Sequence, residues 1–238
     1  MGRTARRTLL RPERRWRIPL GIGRGLRIRV DAAAPVHRYV GSAELELSRH
    51  VRRFVVKGAV CFDVGGYDGY YALVFARLSG ARVWCFEADG RRAGRIGANL
   101  ALNKHLGRRV CVLATFLCDR RGDEPRTDTL DDLIARGAVP TPQFMKIDVE
   151  GAEVSVLRGA ADMLRHKKPD LIVETHSEQL DAECVTLLSA AGYACSFVTP
   201  RRLFRENRGA GHNRWIVATS RNSVGLIAEG TGVLFRAT

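Results

Sequence analysis

The sequence of 238 residues predicts an α/β fold: a mostly parallel open sheet with an antiparallel edge strand and helices on both faces. Two observations carry the prediction. From Gly58 onward, short apolar runs alternate with amphipathic helical patterns. Such alternation builds parallel strands whose crossover helices cover the sheet. The last two strand-like runs, YACSFV (193–198) and RWIVAT (214–219), have no helical pattern between them, so they read as a hairpin-like antiparallel pair.

Each element has its own signal. A lead-in helix at about 42–56 puts Leu47, Val51, Phe54 and Val55 on one face. AVCFDV (59–64) is a buried strand ending in an acid and two glycines, and the helix over 70–78 aligns Tyr71, Val74, Phe75 and Leu78. RVWCFEA (82–88) is the second strand; the following helix, 91–103, contains Gly94 and Gly97, which weaken it. RVCVLATFL (109–117) is the third strand, and the polar stretch CDRRGDEPRTD (118–128) follows. TLDDLI (129–134) opens a short helix, with Thr129 as N-cap and Asp132 three residues on. FMKIDV (144–149) is the fourth strand, 151–165 a helix, DLIVETH (170–176) the fifth strand and 178–191 the last helix.

Composition narrows the class. With 45% hydrophobic and 27% charged residues the chain is an ordinary globular one. No apolar run approaches the roughly 18 residues of a membrane span. The net charge of +14 is uneven: residues 1–30 hold ten arginines and one acid, for +9, leaving +5 on residues 31–238. The chain therefore divides into an arginine-rich arm (1–40), a lead-in helix (41–58), the α/β domain (59–220) and a tail (221–238). An arginine-rich start suits phosphate-bearing partners, nucleic acid or anionic membrane, and equally a solvated terminus. It lacks the long apolar stretch of a secretory signal; a basic, acid-poor transit peptide is left open. The six cysteines form no C-x-x-C or histidine-flanked spacing. Cys61, Cys85 and Cys111 sit in strand-like runs and read as small buried hydrophobes of a reducing, cytoplasmic compartment.

Two constellations carry chemistry. The first is DVGGYDG (63–69) between a strand and a helix. Gly65, Gly66 and Gly69 let the backbone turn and approach a ligand, and the helix start presents free N–H groups. Glu87 ends the next strand, 24 residues after Asp63, where an acid can hold both hydroxyls of a ribose. The glycine spacing is not G-x-G-x-x-G, and Asp63 at the strand end would repel a diphosphate. It would suit the ammonium group of S-adenosylmethionine. The second is FMKIDVEGAEVSVLRGA (144–160), in which Lys146, Asp148 and Glu150 share one face. With Glu174 and His176 on the next strand end, two neighbouring strands aim at one crevice, where open α/β sheets bind ligands. The alternative for all of these groups is an ion-pair network.

These residues resemble the FkbM family of S-adenosylmethionine-dependent methyltransferases. The resemblance lies in DVGGYDG (63–69), FEADG (86–90), TLDDLI (129–134), KIDVEGAE (146–153), VLRGA (156–160) and VETH (173–176), and covers roughly 41–220. KIDVEGAE is its most specific block. The resemblance implies a Rossmann-like class I methyltransferase fold. It implies a donor-binding turn of Asp63, Gly65 and Gly69, a ribose acid at Glu87, and Asp148 beside the reaction centre. It also implies O-methylation of a hydroxyl on a natural product, sugar or other small molecule. Tyr67 stands where the family usually has Asn, Gly66 where it has Ala, and Ala88 where it has Pro. Tyr67 is counted with the donor-binding residues because it could stack on the donor or cover it.

Methyl transfer to an alcohol needs an in-line geometry and a positioned base or a metal. Asp148 is the first choice for base or orienting group, with His176 and Glu174 next. Lys146 would counter the acids or polarise the acceptor. A divalent ion on Asp148 and Glu174 is chemically compatible and is not assigned. Three alternatives stay open: ribose 2′-O methylation of RNA through the arm, a non-catalytic binding module, and docking of the arm on anionic membrane. The acceptor and the oligomeric state have no signature in the sequence.

Overall fold

The computed structural model describes residues 14–31, 34, 36–122, 126–198 and 213–220. The tail 221–238, the first thirteen residues of the arm and residues 199–212 lie outside the described residues.

The described residues open with a hairpin, β1 (Arg15–Arg17) and β2 (Arg27–Arg29), then α1 (Val36–Val40). The lead-in helix is a 3-10 turn, Leu45–Leu47, continued by α2 (Ser48–Phe54). Then come β3 (Cys61–Val64), α3 (Tyr70–Ser79), β4 (Val83–Phe86), α4 (Gly90–Leu102), the short α5 (Lys104–Gly107) and β5 (Val110–Leu113). A small parallel pair, β6 (Phe116–Leu117) and β7 (Thr127–Asp128), leads into α6 (Leu130–Ala135). The rest is β8 (Phe144–Ile147), α7 (Glu153–Arg158), α8 (Ala161–His166), β9 (Asp170–Thr175), α9 (Glu178–Ala190), β10 (Tyr193–Phe197) and β11 (Arg214–Ser220).

Seven strands form one sheet in the order β10-β11-β9-β8-β3-β4-β5. Pairings from β9 to β5 are parallel, and β11 is antiparallel to both its neighbours. This is the expected Rossmann-like architecture, with one difference at the edge. The reversed strand lies one place in, between β9 and β10. Trp215, Ile216, Val217 and Ala218 are buried on consecutive positions, so both faces of β11 are covered. Residues 194–197 of β10 are only half-buried, as an edge strand should be.

Two hydrophobic layers sandwich the sheet. One packs α3, α2 and the N-terminal hairpin against Cys61, Phe144 and Val83; the other packs α7, α8 and α9 against Phe62, Met145 and Leu171. Ile18, Leu26, Ile28 and Val30 are buried in the first layer. Residues 14–30 are thus part of the folded body, although their charge reads as an arm. Asn99 on α4 and Asn103, just past its end, accept from the N–H groups of Arg29 (2.8 Å) and Arg27 (3.0 Å) and clamp β2 in place.

Two further elements differ from expectation. The helix over 151–165 is two helices, because the Asp131 carboxylate accepts from the N–H groups of Asp162 (2.8 Å) and Met163 (2.9 Å) and caps a fresh start. The break at Gly159 also fits tightly: a Cβ there would lie 1.9 Å from the Cys118 carbonyl. The strand over 109–117 stops at Leu113, and its end crosses to pair with β7. Thr129 caps α6 as predicted, accepting from Asp132 N–H at 3.0 Å. All six cysteines are free.

Candidate active site

The parallel strands β3, β4, β8 and β9 end on one side of the sheet, where a cavity of about 540 Å³ opens. Every candidate residue except Gly69 lines it. Gly69 sits behind, at the N-cap of α3 with φ +79°, and a Cβ there would meet Ile96 at 2.9 Å.

The glycine turn is tied to both neighbouring strands. Gly65 and Gly66 N–H groups donate to the Phe86 carbonyl at 2.9 and 3.0 Å. Gly65 has φ +86°, and a Cβ on it would lie 1.8 Å from the Asp148 carbonyl oxygen. A side chain therefore cannot enter between the turn and the end of β8. Glu87 holds the turn from β4: Oε2 accepts from Tyr67 N–H at 2.8 Å and Oε1 from Asp89 N–H at 3.0 Å. That contact supports Tyr67 at φ +52°, an uncommon conformation for a bulky residue. The guanidinium groups of Arg38 (4.9 Å) and Arg92 (5.1 Å) both lie over the Tyr67 ring. Arg38 in turn ion-pairs with Asp68, donating through Nε at 3.1 Å, which fastens α1 over the turn.

Asp63 is 2% exposed and accepts from Ala72 N–H at 2.9 Å. Burial pushes its carboxyl up to about 7, against the pull of Lys146 and the Ala72 N–H. An acid so placed gains from a cationic ligand beside it.

The other half of the cavity is built by β8 and β9. Lys146 is buried, with Nζ 2.7 Å from Asp148 Oδ2, 3.9 Å from Glu174 Oε2 and 4.8 Å from the centre of the Tyr71 ring. Burial alone would lower the ammonium pKa, but the surrounding carboxylates raise it. Burial would likewise raise Asp148, yet the Lys146 charge and hydrogen bond hold it below its ordinary value. Glu174 goes the other way, raised by burial and by the charges of Asp148 and Glu44. Its oxygens accept from Asn213 Nδ2 (3.2 Å) and Trp215 Nε1 (2.9 Å). His176 places Nε2 3.8 Å from Asp148 Oδ1 and 3.7 Å from Glu150 Oε2, while Nδ1 lies 2.9 Å from Glu153 Oε1.

Three contributors, Glu44, Asn213 and Arg38, carry no sequence signal of their own, and a fourth, Glu153, stands inside a motif without showing its role. Glu44, which accepts from Tyr71 Oη at 2.7 Å, and Asn213 come from segments without a motif. Arg38 follows only from the position of α1. Glu153 was within reach, since it closes the KIDVEGAE block.

Residues 119–195 match the model of the methyltransferase FkbM domain. This segment is similar to the FkbM methyltransferase family. A curated relative, the hexuronic acid methyltransferase AglP of Haloferax volcanii, is 38% identical over 66 residues, which is 28% of this chain and 27% of that protein. The chain thus matches about a quarter of that relative's length. Among solved structures, the methyltransferase FkbM of Methylobacillus flagellatus aligns at TM-score 0.54 and 18% identity, covering 67% of this chain and 43% of that one. A SAM-dependent O-methyltransferase of Thermotoga maritima aligns at TM-score 0.51 and 17% identity, covering 72% and 63%. These alignments establish the Rossmann-like methyltransferase fold. The FkbM segment contributes β8, α7, α8 and β9, and hence Lys146, Asp148, Glu174 and His176.

Asp148, Glu174 and His176 also bring one potential ligand atom each within 4.8 Å of one another. The Lys146 ammonium already lies beside both carboxylates, so a dication entering there would meet its repulsion. The set is satisfied by an internal cation, and no metal is assigned to it.

Proposed function

We propose that this chain transfers a methyl group from S-adenosylmethionine to a hydroxyl oxygen of a small molecule or sugar. The observation that carries the reading is one cavity containing both constellations. Asp63, the Gly65–Gly66 turn, Tyr67 and Glu87 lie towards β4, and Lys146, Asp148, Glu174 and His176 lie towards β9. The catalytic domain is taken as 59–220, with the described residues of 14–58 packed on it.

The donor, when bound, supplies a methyl carbon on a sulfonium centre. Asp63 suits its ammonium group, and the Glu87 carboxylate, fixed by two backbone N–H groups, suits the ribose hydroxyls. The tight fit of Gly65 against β8 brings donor turn and acceptor wall together. Asp148, held ionised by Lys146, would orient the acceptor rather than remove its proton. The acceptor side is walled by Glu44, Lys146, Glu174, His176 and Asn213, a surface for a hydroxylated molecule rather than an apolar one. The AglP likeness points the same way, to a sugar.

Calorimetry tests the donor. Wild type should bind S-adenosylmethionine, and Asp63→Ala and Glu87→Ala should not. Incubation with labelled donor and cell extract then tests the acceptor, with label expected in small-molecule or glycan fractions. Wild type without affinity for the donor would overturn the reading, and label in RNA or lipid would overturn the acceptor class.

A further inference from the structure

Glu153 opens α7 with a side chain that is 0% exposed. Oε1 accepts from Gly151 N–H at 3.0 Å and faces His176 Nδ1 at 2.9 Å. Oε2 is buried with no hydrogen-bond partner among the described residues. A purely structural hinge between Gly151 and His176 would need one acceptor atom, which a neutral glutamine also offers. A buried carboxylate with an unpaired oxygen costs stability and asks for a reason. His176 lines the cavity, and at the other end of its ring Nε2 lies 3.8 and 3.7 Å from Asp148 and Glu150, too long for hydrogen bonds. Nδ1 is therefore engaged, whereas Nε2 is left to a ligand.

We propose that Glu153 is a positioning residue that holds His176 in the Nδ1–H tautomer, so that the Nε2 lone pair faces the acceptor hydroxyl and takes its proton. The proposal rests on the methyl-transfer reading above. As the acceptor oxygen bonds to the methyl carbon, the carbon–sulfur bond breaks with its electron pair left on sulfur, and the hydroxyl proton passes to Nε2. The positive charge lost by the sulfonium reappears on the imidazolium, and Glu153 stabilises it there. The charged groups facing His176 are Glu153 on α7, Asp148 and Glu150 beyond β8, and Glu174 on β9. They act in one direction: the hydrogen bond to Glu153, with the neighbouring carboxylates, outweighs burial and raises the imidazole pKa. Asp148, whose Oδ2 is taken by Lys146, is the weaker base.

The test is histidine ring nitrogen NMR on the full chain, with His176 assigned from His176→Gln. Wild type is expected in the Nδ1–H tautomer with a midpoint above 6.5. In Glu153→Gln the midpoint should fall and the tautomers mix. Calorimetric affinity for S-adenosylmethionine should hold, while kcat for the acceptor fraction labelled by wild type drops about tenfold or more. The pH at half-maximal kcat should fall with the histidine midpoint. An unmoved tautomer and midpoint in a folded Glu153→Gln would overturn the pairing. An unmoved pH profile would overturn the proton transfer. An Nε2–H tautomer in wild type would overturn the proposal even if the variant fails to fold. Wild type that binds no S-adenosylmethionine would instead overturn the methyl-transfer reading, and the proton transfer with it, leaving the NMR to decide the pairing.

Discussion

Lys146 Nζ sits 2.7 Å from Asp148 Oδ2 and 3.9 Å from Glu174 Oε2, so one buried ammonium serves two carboxylates of the cavity wall. Its removal would leave those acids facing each other. In Lys146→Met both pKa values should rise, since burial and mutual repulsion would act without an opposing charge. Groups raised in the folded state cost stability as pH climbs through their folded values. The variant is therefore expected to lose about 3 kcal/mol near pH 8, typical of a buried pair stripped of one partner, and less near pH 5. Urea unfolding at the two pH values measures this. Equal losses at both would show that the acids do not depend on the lysine.

Asp63 carries a second pH dependence. Burial raises its carboxyl to about 7 from an ordinary 3.8. The folded state then holds a proton that the unfolded chain gives up, so stability is present below the ordinary carboxylate range and is lost as pH rises towards 7. Asp63→Asn keeps an oxygen for Ala72 N–H and titrates nothing. It should be more stable than wild type near pH 8, with the advantage shrinking near pH 5. Donor binding should show the opposite sign. Wild-type affinity for S-adenosylmethionine should strengthen through pH 7 as the carboxylate ionises, and the variant should bind about tenfold or more weakly, the worth of a charge-assisted hydrogen bond. Calorimetry across that range decides, and a flat wild-type profile would take Asp63 away from the ammonium group.

Glu87 is held by two donors, so glutamine is not a neutral replacement. The carboxylate offers one oxygen to Tyr67 N–H and the other to Asp89 N–H. In Glu87→Gln one of these N–H groups would face an amide NH2. A stability loss of about 1–2 kcal/mol is expected from the unpaired donor. The loosened Tyr67 turn should weaken donor affinity at the same time. Parallel urea and calorimetric measurements check both, and loss of affinity without loss of stability would assign Glu87 to ligand contact alone.

The legible parts of this fold are those written locally. Apolar runs ending in acids mark β3, β4, β8 and β9, and their common direction brings Asp63, Glu87, Asp148 and Glu174 to one side. Thr129 at the start of α6 is readable because a cap is a three-residue event. The N-terminal hairpin is hidden by its arginines, although an alternating apolar pattern is present in Leu26, Ile28 and Val30, all buried. The inward place of β11 is readable in principle from four consecutive buried apolar residues, 215–218. Glu44 and Asn213 are not: they reach the cavity through long-range packing that no spacing encodes. Glu153 stands inside a motif, but its role depends on His176, which is 23 residues away in sequence.

Gly66 shows how a departure from the family pattern can have a local cause. A Cβ at this position would lie 2.2 Å from Cys85 Sγ and 3.1 Å from Ile96 Cδ1. The alanine that the family usually carries there is excluded by the thiol beneath the turn. Gly66→Ala should therefore destabilise by about 1–3 kcal/mol, as overpacking of a filled core does. Cys85→Ala removes the sulfur that the new methyl group would strike, so the double variant should regain about 1 kcal/mol or more of that loss. A double-mutant cycle from urea midpoints measures the coupling. Additive losses would mean that the turn yields without the thiol, and that Gly66 is held by something other than Cys85.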